Sequence, residues 1–312
     1  MSDPLVWLPF PPADLEERGG PLPPGLRYEE VVPGPQGEVP ASASEVELVV
    51  LPYRFSRTDA EMLAGLPRLR VVQSQSAGTE HLTPHVPDGV TLCSGRGIHS
   101  ASTAELVLAL VLASQRGLPD FVRAQDRRAW EPAWRPALAD SRVLIVGYGD
   151  IGEAIEARLR PFEVEVVRVA RRAREGVHAI DDLPGLLPDA DVVVLVMPLT
   201  DASRGLVDAD FLGRMAEGAL LVNVARGPVV DTDALVAALR AGRVRAALDV
   251  TDPEPLPSDH PLWECPGLVL TPHVGGATSA MQPRAYALVR AQLERFAAGE
   301  ELTNVVTGPS RV

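Results

Sequence analysis

The chain has 312 residues, 46% hydrophobic, 23% charged and 4% aromatic, with a formal net charge of −13; this is long enough for about two domains, each with its own apolar core. All 29 basic residues are arginines, which excludes lysine Schiff bases and the lysine-dependent phosphate loop and leaves every fixed positive charge to a guanidinium that orients and polarises without titrating. The acidic balance argues against nucleic acid, two cysteines are too few for a disulfide framework, and no apolar run approaches the roughly 20 residues that cross a bilayer, so a cytoplasmic protein with no membrane partner is expected.

Residues 11–40 are rich in Pro and Gly and read mostly as loop. Apolar runs at 48–51, 69–72 and 90–93, separated by Pro/Gly-rich loops, predict a smaller α/β domain. A long helical pattern starts near Ala101, where Ser100 or Ser102 can cap, and runs through Ala104, Leu106, Leu108, Leu110 and Val111 until Pro119 interrupts it. From 141 to 273, β-branched runs beginning at Val143, Val164, Val192, Leu220, Ala247 and Val269 alternate with helical stretches. Runs that are apolar without alternation predict a parallel sheet covered on both faces, hence a doubly wound α/β domain. A second long helix is predicted over about 277–298, with Pro283 inside it. Helices before and after the central unit are natural crossings, so the C-terminal tail is expected to return to the first domain.

The strongest local signal is Arg142-Val-Leu-Ile-Val-Gly147-Tyr-Gly149-Asp-Ile-Gly152, which follows an apolar strand and opens a helix ending before Pro161. Glycine lets the chain turn at Gly147, lets a pyrophosphate approach the backbone at Gly149 and lets the helix pack closely at Gly152, while the helix N-terminus supplies amide donors. Dinucleotide binding follows. Where NAD-specific enzymes carry an acidic residue after the second strand, this chain has Arg171 and Arg172, which suit the 2′-phosphate of NADP. The expected cofactor is NADP, with NAD as the alternative.

Three further segments complete a constellation. Arg226 follows the strand that begins at Leu220, Asp252 and Glu254 follow the next, and His273 follows the last. The three sites thus emerge in chain order from the sheet edge where doubly wound domains bind ligands. His81 and His85 have the spacing of metal ligands on a helix, but Pro84 lies between them and no third ligand is evident, so no metal is expected.

Together with Val196-Met-Pro198-Leu-Thr200, Asn223-Val-Ala-Arg226-Gly, Asp249-Val-Thr-Asp-Pro-Glu254-Pro and Thr271-Pro-His273-Val-Gly275-Gly276, the fingerprint resembles the D-isomer-specific 2-hydroxyacid dehydrogenases over about 46–304. The stretch from Asp249 is most like glyoxylate/hydroxypyruvate reductases. The resemblance implies two doubly wound parallel-sheet domains: a Rossmann cofactor domain (98–285) inserted into a smaller flavodoxin-like substrate domain (1–97 and 286–312). It also implies hydride transfer between NAD(P)H and a small 2-keto acid, giving the D-2-hydroxy acid. The alternatives are an NAD-linked dehydrogenase of another 2-hydroxy acid and a nucleotide-sensing, corepressor-like scaffold.

The roles it implies are Arg226 as clamp on the substrate carboxylate and keto oxygen, His273 as proton donor and acceptor, and Glu254 as its hydrogen-bond partner. For the cofactor it implies Asp150 and Ile151 near the pyrophosphate and Asp249 at the nicotinamide carboxamide. Pro198, Val224, Ala225, Gly275, Gly276 and Thr103 complete the cofactor set. Ser76, Ala77 and Gly78 would hold the substrate carboxylate, although Thr79-Glu80 departs from the family's Gly-Val-Asp. Tyr53 and Arg54 are candidates to line the substrate pocket. A homodimer is implied, in which an aromatic from the region of Trp130 and Trp134 reaches the partner's substrate pocket.

Overall fold

Alternate residues of the buried strands face opposite sides, and in each sheet the two sets build separate apolar layers. The computed structural model describes residues 3–32, 40–53 and 57–312. The chain divides into two compact units, Met1–His99 with Ser279–Val312, and Ser100–Thr278.

The first unit contains β1 (Leu5–Leu8), β2 (Arg27–Glu30), β3 (Val46–Val50), β4 (Val71–Gln73), β5 (Thr91–Cys93) and β13 (Val305–Thr307), ordered β13-β5-β4-β3-β1-β2. Strands β1 to β5 pair in parallel in the flavodoxin-like order 2-1-3-4-5, and β13 adds antiparallel to β5. Trp7, Val49, Val72 and Leu92 pack on one face with Leu63 and Leu82. Val6, Leu48, Val50 and Val71 pack on the other with Leu15, Val289, Leu293 and Phe296.

The second unit contains β6 (Arg142–Val146), β7 (Glu165–Ala170), β8 (His178–Ala179), β9 (Val192–Leu195), β10 (Leu220–Asn223), β11 (Arg245–Leu248) and β12 (Leu268–Leu270). The order β12-β11-β10-β9-β6-β7-β8, parallel throughout, is that of a Rossmann sheet, with the switch between β6 and β9. Val143, Ile145, Val192 and Val222 pack under the helices Ser100–Arg116 and Asp150–Leu159. Leu144, Val146, Val193 and Leu221 pack under Phe211, Leu235 and Leu239 on the opposite face.

Several elements differ from the sequence reading. Residues 11–40 hold a helix, Pro12–Gly19, whose first-turn proline gives up no hydrogen bond, and the edge strand β2. The helix after Ser100 ends at Arg116 because Gly117 turns left-handed (φ +64°), two residues before Pro119. Pro283 is the third residue of helix Met281–Ala298, in the first turn whose amides have no partner within the helix. The chain leaves the second unit after Thr278 rather than at 285, because this helix buries Tyr286, Val289 and Leu293 in the first unit's core. Among the described residues no helix is long and apolar enough to cross a membrane.

Candidate active site

Strand β6 delivers its chain into the glycine turn. Gly147 sits at φ +109°, and a Cβ there would lie 2.6 Å from the Met197 backbone nitrogen. Gly152 faces the Gly147 carbonyl oxygen, which a Cβ would approach to 2.8 Å, whereas the same position on Gly149 meets open space. Only Gly149 therefore leaves room for a ligand at the backbone. Asp150, Ile151 and Gly152 form the first turn of the helix Asp150–Leu159, where amides lack intrahelical acceptors. Glu153 is the first to bond back, to the Gly149 oxygen at 2.8 Å. This cradle fits a dinucleotide pyrophosphate.

Behind the turn lies a cluster that the sequence reading missed. Glu156, 3% exposed, accepts from Arg168 Nε at 2.7 Å and Nη2 at 2.5 Å and from the Tyr148 hydroxyl. Arg174 donates to the Tyr148 carbonyl at 2.6 Å, and both guanidinium groups lie over the Tyr148 ring. The hydrogen bonds from Arg168 hold the Glu156 carboxyl down at about 2, while burial, with the Glu156 contact, pushes the Tyr148 phenol up. A carboxyl lowered from 4.5 to about 2 stabilises the fold fully above its ordinary value, and that contribution disappears as pH falls from about 4.5 to about 2. Glu156→Gln is therefore expected to cost about 2–3 kcal/mol near neutral pH, with wild-type and variant unfolding curves converging towards pH 2. Thermal unfolding across that range checks it. Arg171 and Arg172 follow β7 and are exposed.

Strands β10, β11 and β12 are neighbours, so their following loops leave one edge. Asn223, 1% exposed, ends β10 and pins the next turn. Its Oδ1 accepts from the Ala225 amide at 3.0 Å and its Nδ2 donates to the Arg226 carbonyl at 3.0 Å. Val224 and Ala225 are thereby buried, and half-buried Arg226 donates from Nη1 to the Ala225 carbonyl at 2.7 Å. A Cβ on Gly227 would overlap the Thr251 carbonyl, so glycine is what allows this loop to press against the β11 loop.

His273 adopts φ +53°, a left-handed conformation uncommon for residues other than glycine. Buried Asp249 over-determines it. The His273 amide donates to the Asp249 carbonyl at 2.8 Å. The Asp249 carboxylate accepts from the Thr271 hydroxyl at 2.6 Å and from the Val274 and Gly275 amides, each at 2.9 Å. The ring then meets Glu254, with 2.6 Å between His273 Nδ1 and Glu254 Oε1. With the carboxylate ionised, Nδ1 is the protonated donor and Nε2 is left for another partner. The two side chains are 49% and 41% exposed, so a ligand has access to the pair. Asp252 does not join it; its carbonyl accepts from the Thr232 hydroxyl at 2.8 Å.

The remaining predicted cofactor residues fall around this edge. Thr103, 7% exposed, lies beside Gly275, where a Cβ would come within 3.4 Å of the threonine hydroxyl. Gly276 is buried. Pro198 follows β9, exposed, its carbonyl accepting from the Ser203 hydroxyl at 2.8 Å. In the first unit, Ser76, Ala77 and Gly78 follow β4 and Tyr53 follows β3, its ring centroid 5.0 Å from that of His99. Arg54 lies outside the described residues.

The sequence model for the NAD binding domain of D-isomer specific 2-hydroxyacid dehydrogenases matches residues 108–275. The chain is 36% identical over 225 residues to the human glyoxylate reductase/hydroxypyruvate reductase, an alignment covering 67% of this chain and 68% of the relative. A D-isomer specific 2-hydroxyacid dehydrogenase from Xanthobacter autotrophicus, solved with NADPH and MES, superposes with a TM-score of 0.82 at 32% identity, covering 98% of each chain. The NADPH-dependent glyoxylate/hydroxypyruvate reductase of Sinorhizobium meliloti, solved with NADP and sulfate, gives 0.81 at 25% identity, covering 97% of this chain and 98% of the other. With its glycine cradle and its Arg, Glu and His side chains on one sheet edge, the chain belongs to the D-isomer specific 2-hydroxyacid dehydrogenase family, NAD(P)-dependent oxidoreductases of 2-hydroxy and 2-keto acids.

Proposed function

We propose that the protein is an NADPH-preferring reductase of a small 2-keto acid, with glyoxylate and hydroxypyruvate as first substrates and the D-2-hydroxy acid as product. The observation that carries this reading is the 2.6 Å contact of His273 Nδ1 with Glu254 on the sheet edge that also bears Arg226. The similarity to the human and Sinorhizobium meliloti reductases supports the substrate class.

Gly147, Gly149, Asp150, Ile151 and Gly152 would hold the dinucleotide pyrophosphate; Arg171 and Arg172 the adenosine 2′-phosphate; Pro198, Val224, Ala225, Thr103, Gly275 and Gly276 the remainder. When bound, the dinucleotide supplies the hydride that reduces the keto carbon. Arg226 binds the keto acid through its carboxylate and keto oxygen, fixing the carbon and drawing electron density from it. His273 gives the proton from Nε2 to the keto oxygen as charge develops there. Glu254 fixes the ring's tautomer and stabilises the imidazolium before the proton leaves. Asp249, already bonded to the His273 loop, keeps that ring in place and has one lone pair, on Oδ2, left for the carboxamide. Ser76, Ala77 and Gly78 bind the carboxylate through backbone amides, and Tyr53 lines their surroundings.

Two features support the rest of the proposal. Trp130 and Trp134 are fully exposed, and Leu118 and Val122, a few residues earlier in the chain, are exposed as well, as expected of a surface that a second copy covers. Cys93 and Cys265 are buried free thiols, consistent with a reducing cytoplasm.

The cofactor assignment is tested by kcat/KM for NADPH and NADH with hydroxypyruvate. Wild type should favour NADPH, and the Arg171→Ala/Arg172→Ala double variant should raise KM for NADPH about 10- to 100-fold with little change for NADH, as lost charge-assisted hydrogen bonds require. Equal effects on both would reject 2′-phosphate recognition by these arginines.

A further inference from the structure

Strands β3, β4 and β5 end side by side in the first unit, and the chain that leaves them is unusually polar for its burial. Gln73, Ser74, Gln75, Ser94 and His99 are all buried. Buried polar groups require partners, and here the partners converge on one segment. Gln75 donates from its side chain to the Leu51 carbonyl at 2.8 Å, Ser74 Oγ accepts from the Ser76 amide at 3.0 Å, and the Gly95 amide donates to the Ser76 carbonyl at 2.7 Å. His99 Nε2 lies 2.9 Å from the Gln75 carbonyl oxygen. A carbonyl only accepts, so Nε2 carries a proton. Gly95 lets the β5 loop come this close, since a Cβ there would overlap the same carbonyl.

The carbonyls of Gln75 and Ser76 are thus both tied back, one by His99 and one by Gly95. The next two amides, of Ala77 and Gly78, donate to nothing among the described residues, and Ala77 is exposed. The Tyr53 ring leans on the imidazole at 40°, restricting the rotation that would break its bond to Gln75.

We propose that His99 is a positioning residue for substrate: by donating to the Gln75 carbonyl it sets the peptide planes from which the Ala77 and Gly78 amides project toward a carboxylate. This rests on the reading of 76–78 as the carboxylate-binding segment. His99 acts through the backbone without touching substrate. Its loss weakens binding of the acid and leaves the proton transfer by His273 intact.

The test compares H99L, H99N and H99Q with wild type. Leucine has no donor, and the asparagine amide reaches only as far as the imidazole Nδ1; glutamine reaches as far as Nε2. H99L and H99N should raise KM for hydroxypyruvate about tenfold, the effect of one buried hydrogen bond, with kcat within about twofold and KM for NADPH unchanged. H99Q should recover most of the loss. The Kd for oxamate on NADPH-saturated enzyme, by calorimetry, should move in parallel with KM. Gly95→Ala, which displaces the same carbonyl by another route, should resemble H99L, and H99N carries the expectation if H99L does not fold. An unchanged KM in both H99L and H99N, even with a lowered Tm, overturns the proposal, as does an H99Q as impaired as H99L. Wild-type enzyme that binds oxamate but reduces no keto acid overturns the parent reading alone, and the oxamate affinities then decide the role of His99; wild type that binds no oxamate overturns both.

Discussion

His273→Ala is expected to lower kcat for keto-acid reduction by at least about 10³-fold, within the range of a positioned general acid, while NADPH still binds with nearly wild-type affinity. The reason is local. The histidine meets Glu254 at 2.6 Å through Nδ1 and leaves Nε2 as the group that gives its proton to the keto oxygen. The glycine cradle lies on other loops of the same unit and is untouched by the substitution. Quenching of tryptophan fluorescence by NADPH measures cofactor binding and stopped-flow single turnovers measure the chemical step. A variant with wild-type kcat would remove His273 from the mechanism.

Arg226→Ala is expected to lower kcat/KM by about 10³-fold or more, because one guanidinium both orients the acid and stabilises charge that develops on the keto oxygen. Arg226→Lys should recover little of this, since an ammonium cannot form the planar two-point contact. The backbone that carries it is held by Asn223, which bonds to both the Ala225 amide and the Arg226 carbonyl, and by the close packing of Gly227, whose Cβ would overlap Thr251; the guanidinium itself donates to the Ala225 carbonyl. Steady-state rates over a wide range of keto-acid concentration separate the effect on KM from that on kcat. Wild-type kcat/KM in the alanine variant would contradict the clamp.

The central strands were legible because a parallel sheet covered on both faces leaves continuous apolar runs, and β9 and β10 are wholly buried. Strand β2 was not, because Arg-Tyr-Glu-Glu is an edge strand with no apolar pattern. Strand β8 is two residues long, too short for any period to appear, and the helix Pro12–Gly19 was hidden among prolines. Within the site, the glycine turn and the order of Arg226, Glu254 and His273 were legible because each stands at a fixed offset from a strand end. Their support was not. Asp249 reaches residues 22 to 26 positions away, His99 reaches back 24, and Glu156 gathers Tyr148 and Arg168 from either side. Such partners share no local spacing, and only the folded backbone brings them together. Buried Asn223 offered a signal of its own, a polar residue ending an otherwise apolar strand.

The product of hydroxypyruvate reduction by the wild-type enzyme with NADPH, analysed by chiral chromatography, reads out the proposed reaction itself. One D-glycerate should form for each NADPH oxidised; no NADPH oxidation, or L-glycerate as the product, would rule out D-specific reduction by this protein.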